Sequence, residues 1–223
     1  MATEEQLYEF DLTGYLSVPS FLPVATVAAM NALIDEAERS LPFWVSDAEP
    51  FKFLHTHSRP TVPVEQRSLL ALDPLFMELM AEPRAVALAE QLTGCAVRLD
   101  HSMGVQMDAT TALSDGVGGL HGGPGWFSGQ DEQQTSWYTW QDGAPQGGDI
   151  VFMYLLEDVP PGAGGLIIVP ASHKANMSHT PALDSRVVEN PAGRAGDLLV
   201  FTVSPPALHE RLFVVQTWAT RIR

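Results

Sequence analysis

At Gly94 the chain changes character, and that change bounds its architecture. Before it, apolar residues recur at helical spacing. From Val24 to Arg39 they fall at Val27, Met30, Leu33, Ile34 and Ala37, one face of an amphipathic helix with Asp35, Glu36 and Glu38 outward. Tyr8–Val18 reads as a short helix passing Gly14 into a strand at Tyr15–Val18, and Pro19 and Pro23 bracket a turn. Asp73-Pro74 is an N-cap followed by a first-turn proline, for a helix reaching about Met80. Pro83 opens another over Arg84–Leu92, which Gly94 closes. Residues 42–64 are rich in proline and aromatics without a period, and read as a long loop.

After Gly94 short strand-like runs follow, separated by Gly/Pro connections. They are Val97–Met107, Asp149–Leu156, Leu166–Val169, Leu198–Thr202 and Leu212–Thr217. Helices first and strands later predict one α+β domain, mainly β, over residues 1–223. Its helical flank covers about 1–94, and a jelly-roll barrel covers about 95–223.

The bulk composition narrows the function. At 223 residues, with 45% hydrophobic and 17% charged residues, the chain can bury a sizeable core. A net charge of −15, with Lys52 and Lys174 as the only lysines, opposes nucleic acid or an anionic membrane as partner. The single cysteine, Cys95, leaves no intramolecular disulfide and reads as a small buried hydrophobe. No secretory signal pattern and no membrane-length apolar run are evident, so a cytoplasmic protein is expected.

Of the seven histidines, His121 is the best placed for chemistry. Leu120-His-Gly-Gly-Pro-Gly-Trp126 sets an imidazole at a strand end beside glycines that admit a close approach. Trp126 and Phe127 can wall a pocket there, or the glycines form a turn and Trp126 belongs to the core. Tyr138 is a further substrate-lining candidate, with ordinary core as the competing reading. His55 and His57 would share one side of a strand, but their segment reads as loop. His101 reads as a core histidine, and His173-Lys174 as a solvated loop. His209, with Arg221 beyond it, fits a second metal ligand and a guanidinium clamp for an anionic cosubstrate. One early and one late histidine on short strands can share a metal at a barrel's mouth, which makes an iron oxygenase the leading idea.

The blocks Phe10-Asp-Leu-Thr-Gly-Tyr15, Arg98-Leu-Asp-His101, Leu120-His-Gly-Gly123, Asp158 through Lys174, and Ala195-Gly-Asp-Leu-Leu-Val-Phe-Thr202 together resemble the phytanoyl-CoA dioxygenase family. The most specific is Gly-Gly-Leu-Ile-Ile-Val-Pro-Ala-Ser-His-Lys, ending at Lys174. The resemblance implies a double-stranded β-helix that uses Fe(II) and 2-oxoglutarate to hydroxylate an aliphatic small molecule. It also implies His121 and His209 as iron ligands and Arg221 as the partner of the far carboxylate of 2-oxoglutarate. Two departures stand out. His121-Gly122-Gly123 replaces the family's His-x-Asp, so the carboxylate ligand is missing from its usual place. Asp131, Asp149, water, or a halide as in related iron halogenases are the alternatives for that position. The C-terminal segment from Val203 also departs, with His209 about two residues later than the family pattern.

Two functions are therefore expected to compete: an oxidoreductase, with an iron halogenase as its variant, and a non-catalytic jelly-roll relative that has lost iron. A small-molecule substrate is expected, with neither nucleic acid nor membrane as partner.

Overall fold

The structure is a computed structural model that describes residues 1–40, 52–55, 69–107, 138–146, 149–162, 166–175, 185–203 and 214–222. It is a mixed helix-and-strand fold. The N-terminal part holds α1 (Glu4–Thr13), β1 (Tyr15–Val18), α2 (Val24–Ser40), β2 (Lys52–His55), α3 (Leu69–Leu72), α4 (Pro74–Met80) and α5 (Pro83–Thr93). Then come β3 (Arg98–Met107), the short pair β4 (Thr139–Gln141) and β5 (Ala144–Gln146), β6 (Asp149–Leu155), β7 (Leu198–Val203) and β8 (Val214–Ile222).

Local chemistry explains the helix ends. Thr3 accepts from Gln6 N while the Gln6 side chain accepts from Thr3 N, a capping box that opens α1. Gly14 closes it in the left-handed region at φ +78°. Asp73 Oδ1 accepts from Leu75 N at 2.9 Å and opens α4 ahead of Pro74. Gly94, at φ +74°, closes α5. The apolar stripe of α2 is buried at Val27, Met30, Ile34 and Ala37, as its periodicity predicts.

Among the described residues, six strands form one sheet in the order β1-β7-β6-β8-β3-β2. β1–β7, β7–β6 and β2–β3 are antiparallel, whereas β8 runs parallel to both neighbours, β6 and β3. The two faces are distinct. Ile150, Phe152, Tyr154, Leu198 and Val200 pack with Phe10, Met30, Phe76 and Leu92 of the helices. The alternate residues Val151, Met153, Leu155, Leu199 and Phe201 form a second cluster with Val159, and Leu166 packs against it. That face lies away from the helices.

Several expectations need correction. The stretch expected as loop contains β2, because its backbone pairs from Lys52↔Gln106 to His55↔Met103; an edge strand takes its pairing from β3 rather than from its own composition. Leu166–Val169, expected as a buried strand, is half-buried and, among the described residues, makes the isolated bridge Ile168↔Glu189 and no ladder. Asn190 pins it instead, donating to Leu166 O at 2.7 Å. The β4–β5 hairpin escaped the pattern reading, although Asp142-Gly143 at its tip, both at positive φ, is a strong two-residue turn signal. Cys95 is half-buried, with its thiol donating to Ala96 O at 3.3 Å. Among the described residues, no helix is long and apolar enough to cross a membrane.

Candidate functional site

His121, His209 and Trp126 lie outside the described residues, as do His57, Phe127 and Asp131. Arg221 stands near the end of β8, abreast of Gln106 on β3. Along β8, Val215, Thr217 and Ala219 stand abreast of Ile150, Phe152 and Tyr154, so Arg221 continues the row that belongs to the helix-packed face. Asp149 stands at the other end, abreast of Val214. The run from Val214 to Arg221 corresponds to about 23 Å at the usual rise of ~3.3 Å per residue. Asp149 and Arg221 are thus at opposite ends of the sheet.

Tyr138 is the one predicted site residue whose side chain is described, and it is buried on the helix side. Its hydroxyl donates to Asp11 Oδ1 at 2.7 Å. Its ring tilts against Phe10 at 6.3 Å and meets the edge of His173 at 4.7 Å between centroids. The other Asp11 oxygen holds Lys174 Nζ at 3.0 Å. Burial resists ionisation of Asp11, but Tyr138, Lys174 and His173 outweigh it and hold the carboxyl below its ordinary value. Burial, then the Asp11 carboxylate, pushes the Tyr138 phenol upward.

His173 corrects the solvated-loop expectation. It is buried with 7% exposure, its Nε2 lies 3.2 Å from Asp11 O, and its ring lies over Gly14 so closely that a Cβ there would collide with it. Burial lowers its pKa to about 4, opposed by the Asp11 carbonyl. The imidazole is therefore neutral at pH 7. The backbone completes the joint, with Ala171 N donating to Thr13 O at 2.7 Å and Thr202 N to Gly14 O at 3.0 Å.

Three of the sequence blocks that carry the family resemblance thus meet: Phe10–Tyr15, the end of Asp158–Lys174, and Ala195–Thr202. Asp197 extends the same joint, accepting from Ser20 N at 2.8 Å and Arg194 N at 2.7 Å. The signal that could have found this cluster was the joint occurrence of these blocks, since none of them alone requires Asp11 to face Lys174. Among the described residues, no group of three or more His, Cys, Asp or Glu side chains is arranged to hold a metal.

The model of the family described as "Phytanoyl-CoA dioxygenase (PhyH)" matches residues 10–204. The chain belongs to the phytanoyl-CoA dioxygenase family. That family comprises Fe(II)/2-oxoglutarate-dependent oxygenases, and membership makes the chain an oxidoreductase. Solved structures share the fold. HygX from Streptomyces hygroscopicus, determined with nickel, 2-oxoglutarate and hygromycin B bound, is 22% identical with a TM-score of 0.68, over 91% of this chain and 79% of that one. HygX with iron bound is 20% identical with a TM-score of 0.60, over 92% and 78%. The non-heme alpha-ketoglutarate-dependent epimerase SnoN from nogalamycin biosynthesis is 20% identical with a TM-score of 0.57, over 90% and 73%. No curated protein matches the sequence.

Proposed function

We propose that this family member is a cytoplasmic Fe(II)- and 2-oxoglutarate-dependent dioxygenase that hydroxylates an apolar small molecule within a single jelly-roll domain. The family match over residues 10–204 is the observation that carries this reading. HygX and SnoN, which share the fold, support the choice of cofactors, since HygX is known with iron and with 2-oxoglutarate.

His121 and His209 are the proposed iron ligands; neutral imidazole nitrogens suit Fe(II) and leave positions for a chelating oxo acid. The iron supplies oxygen activation, coupled to decarboxylation of 2-oxoglutarate. Arg221 is the proposed partner of the far carboxylate, for which its planar fork is suited. Trp126 and Tyr138 are the proposed substrate-side aromatics. The role for Tyr138 is through its ring, because its hydroxyl is engaged by Asp11.

The deciding experiment is anaerobic reconstitution with Fe(II), followed by succinate release from 2-oxoglutarate in air. Wild type should bind iron and release succinate, and His121→Ala should abolish release. Unchanged release in that variant removes His121 from the site. Two sequence features favour the competing reading of a non-catalytic relative: the absence of a carboxylate two residues after His121, and the segment from Val203, which departs from the family pattern. Failure of Fe(II) to bind, with no stabilisation by 2-oxoglutarate, would establish that reading. Chloride-dependent tightening of iron binding would instead identify the halogenase variant.

A further inference from the structure

We propose that Asp142 is a site of spontaneous isomerisation to isoaspartate, a covalent modification of the exposed tip of the β4–β5 hairpin that does not depend on the iron chemistry. Asp142-Gly143 is the two-residue turn between the paired residues Gln141 and Ala144. Both turn residues are exposed, and both hold left-handed backbone, at φ +54° and +79°. Glycine adopts that conformation freely, whereas the aspartate Cβ crowds the following carbonyl oxygen. A Cβ built at Gly143 meets nothing within 4 Å, so no neighbour blocks rotation of the Asp142–Gly143 peptide. Among the described residues, β4 and β5 form a two-stranded sheet of their own, three residues in each strand. A ribbon that short yields readily at its turn.

The chemistry is local to these two residues. Rotation of the peptide brings the Gly143 backbone nitrogen onto Cγ of the Asp142 carboxyl group. The nitrogen bonds to Cγ and gives up its hydrogen, which departs with the carboxyl hydroxyl as water. A five-membered succinimide results. Water then adds at the main-chain carbonyl carbon of Asp142, and the bond from that carbon to nitrogen breaks. The chain now runs through Cγ, and the α-carboxylate is free. One water is lost and one regained, nothing is oxidised or reduced, and no cofactor takes part. The base of the hairpin is held throughout, because the Tyr138 hydroxyl donates to Asp11 Oδ1 at 2.7 Å and Pro145 is buried. The product carries one extra backbone carbon at the tip. That carbon gives the turn a further rotatable bond and disturbs the pairing of Gln141 with Ala144.

The test holds the folded full chain in neutral buffer for several weeks and maps isoaspartate in chymotryptic peptides by electron-transfer fragmentation. Chymotrypsin sets Asp142 apart from Asp115-Gly116, the other Asp-Gly pair of the sequence, which lies outside the described residues. Isoaspartate should accumulate at Asp142. Gly143→Ala should slow its appearance at least about tenfold, because a methyl group then crowds the attacking nitrogen. Should that variant disturb the turn, Asp142→Glu keeps the glycine and should abolish the signal, since its carboxyl would have to close a six-membered ring. Isoaspartate at Asp115 alone, or at Asp142 only when the chain is unfolded in urea, overturns the proposal, because the turn would then protect its own bond. An unchanged rate in Gly143→Ala, or a signal that persists in Asp142→Glu, overturns it as well.

Discussion

Tyr138 donates its hydroxyl hydrogen to Asp11 Oδ1 at 2.7 Å, while Lys174 Nζ holds the other Asp11 oxygen at 3.0 Å. One carboxylate on α1 thus joins the residue ahead of the β4–β5 hairpin to the end of the Asp158–Lys174 block. The arrangement is architectural, and its energetics are open to direct measurement.

Tyr138→Phe keeps the ring against Phe10 and His173 and removes only the hydroxyl. Hydrogen bonds to charged groups contribute about 1.5–3 kcal/mol, and partial exposure places this one near the lower end. Urea denaturation should show a loss of about 1–2 kcal/mol. Asp11→Asn should lose a similar amount, and the double variant less than the sum of the two. Strict additivity would show that the pair is not coupled.

Gly14 and Gly143 both adopt left-handed backbone, at φ +78° and +79°, but a Cβ at Gly14 meets the His173 ring whereas at Gly143 it meets nothing within 4 Å. Gly143→Ala should therefore cost about 1 kcal/mol, the strain alone. Gly14→Ala adds displacement of a buried ring and should cost at least about 2 kcal/mol more. Equal losses at the two positions in parallel thermal melts would refute the close packing of His173.

Acid should weaken the fold first through His173. Its pKa is about 4 in the folded state against an ordinary 6.5, so between these values the unfolded chain binds more protons. Stability therefore falls as pH drops from about 6.5 toward about 4. Asp11, whose pKa is lowered, loses its contribution only at still lower pH. His173→Gln should flatten the upper part of this profile. Denaturant midpoints measured at intervals from pH 7 to about 4 give the slope, and a slope unaltered in the variant would exclude His173 as its source.

Arg221→Gln tests the proposed carboxylate clamp. The expected change is a rise of at least about tenfold in KM for 2-oxoglutarate, with kcat altered less. Succinate release against 2-oxoglutarate concentration measures both. An unaltered KM would assign the far carboxylate to another cation.

Where local chemistry decides structure, the sequence was readable. Asp73-Pro74, Gly94 and the stripe from Val27 to Ala37 specify their helices with neighbours only a turn away. β2 was not readable, because Lys52–His55 becomes a strand through a partner about fifty residues distant. Leu166–Val169 has a strand's composition but, among the described residues, one bridging partner, Glu189. His173 was misjudged for the same reason: its burial comes from α1 and Tyr138, which its own flanks do not reveal. For the site, the family blocks were legible, yet three of them turn out to secure the scaffold around Asp11 and Asp197. Arg221 was read from its spacing after His209; its place abreast of Gln106 comes from the pairing of β8 with β3, which spacing does not encode.

β3 carries one surplus residue, Asp100, between Leu99, abreast of Val215, and His101, abreast of Gln216. Removing that single amino acid would scarcely alter the chain's length. Yet it would swap the sides presented by every later position on the strand, exchanging what coats the helical contact for what lines the reverse. The facing of the rest of the strand therefore hangs on one position, whatever the composition of the residues that follow it.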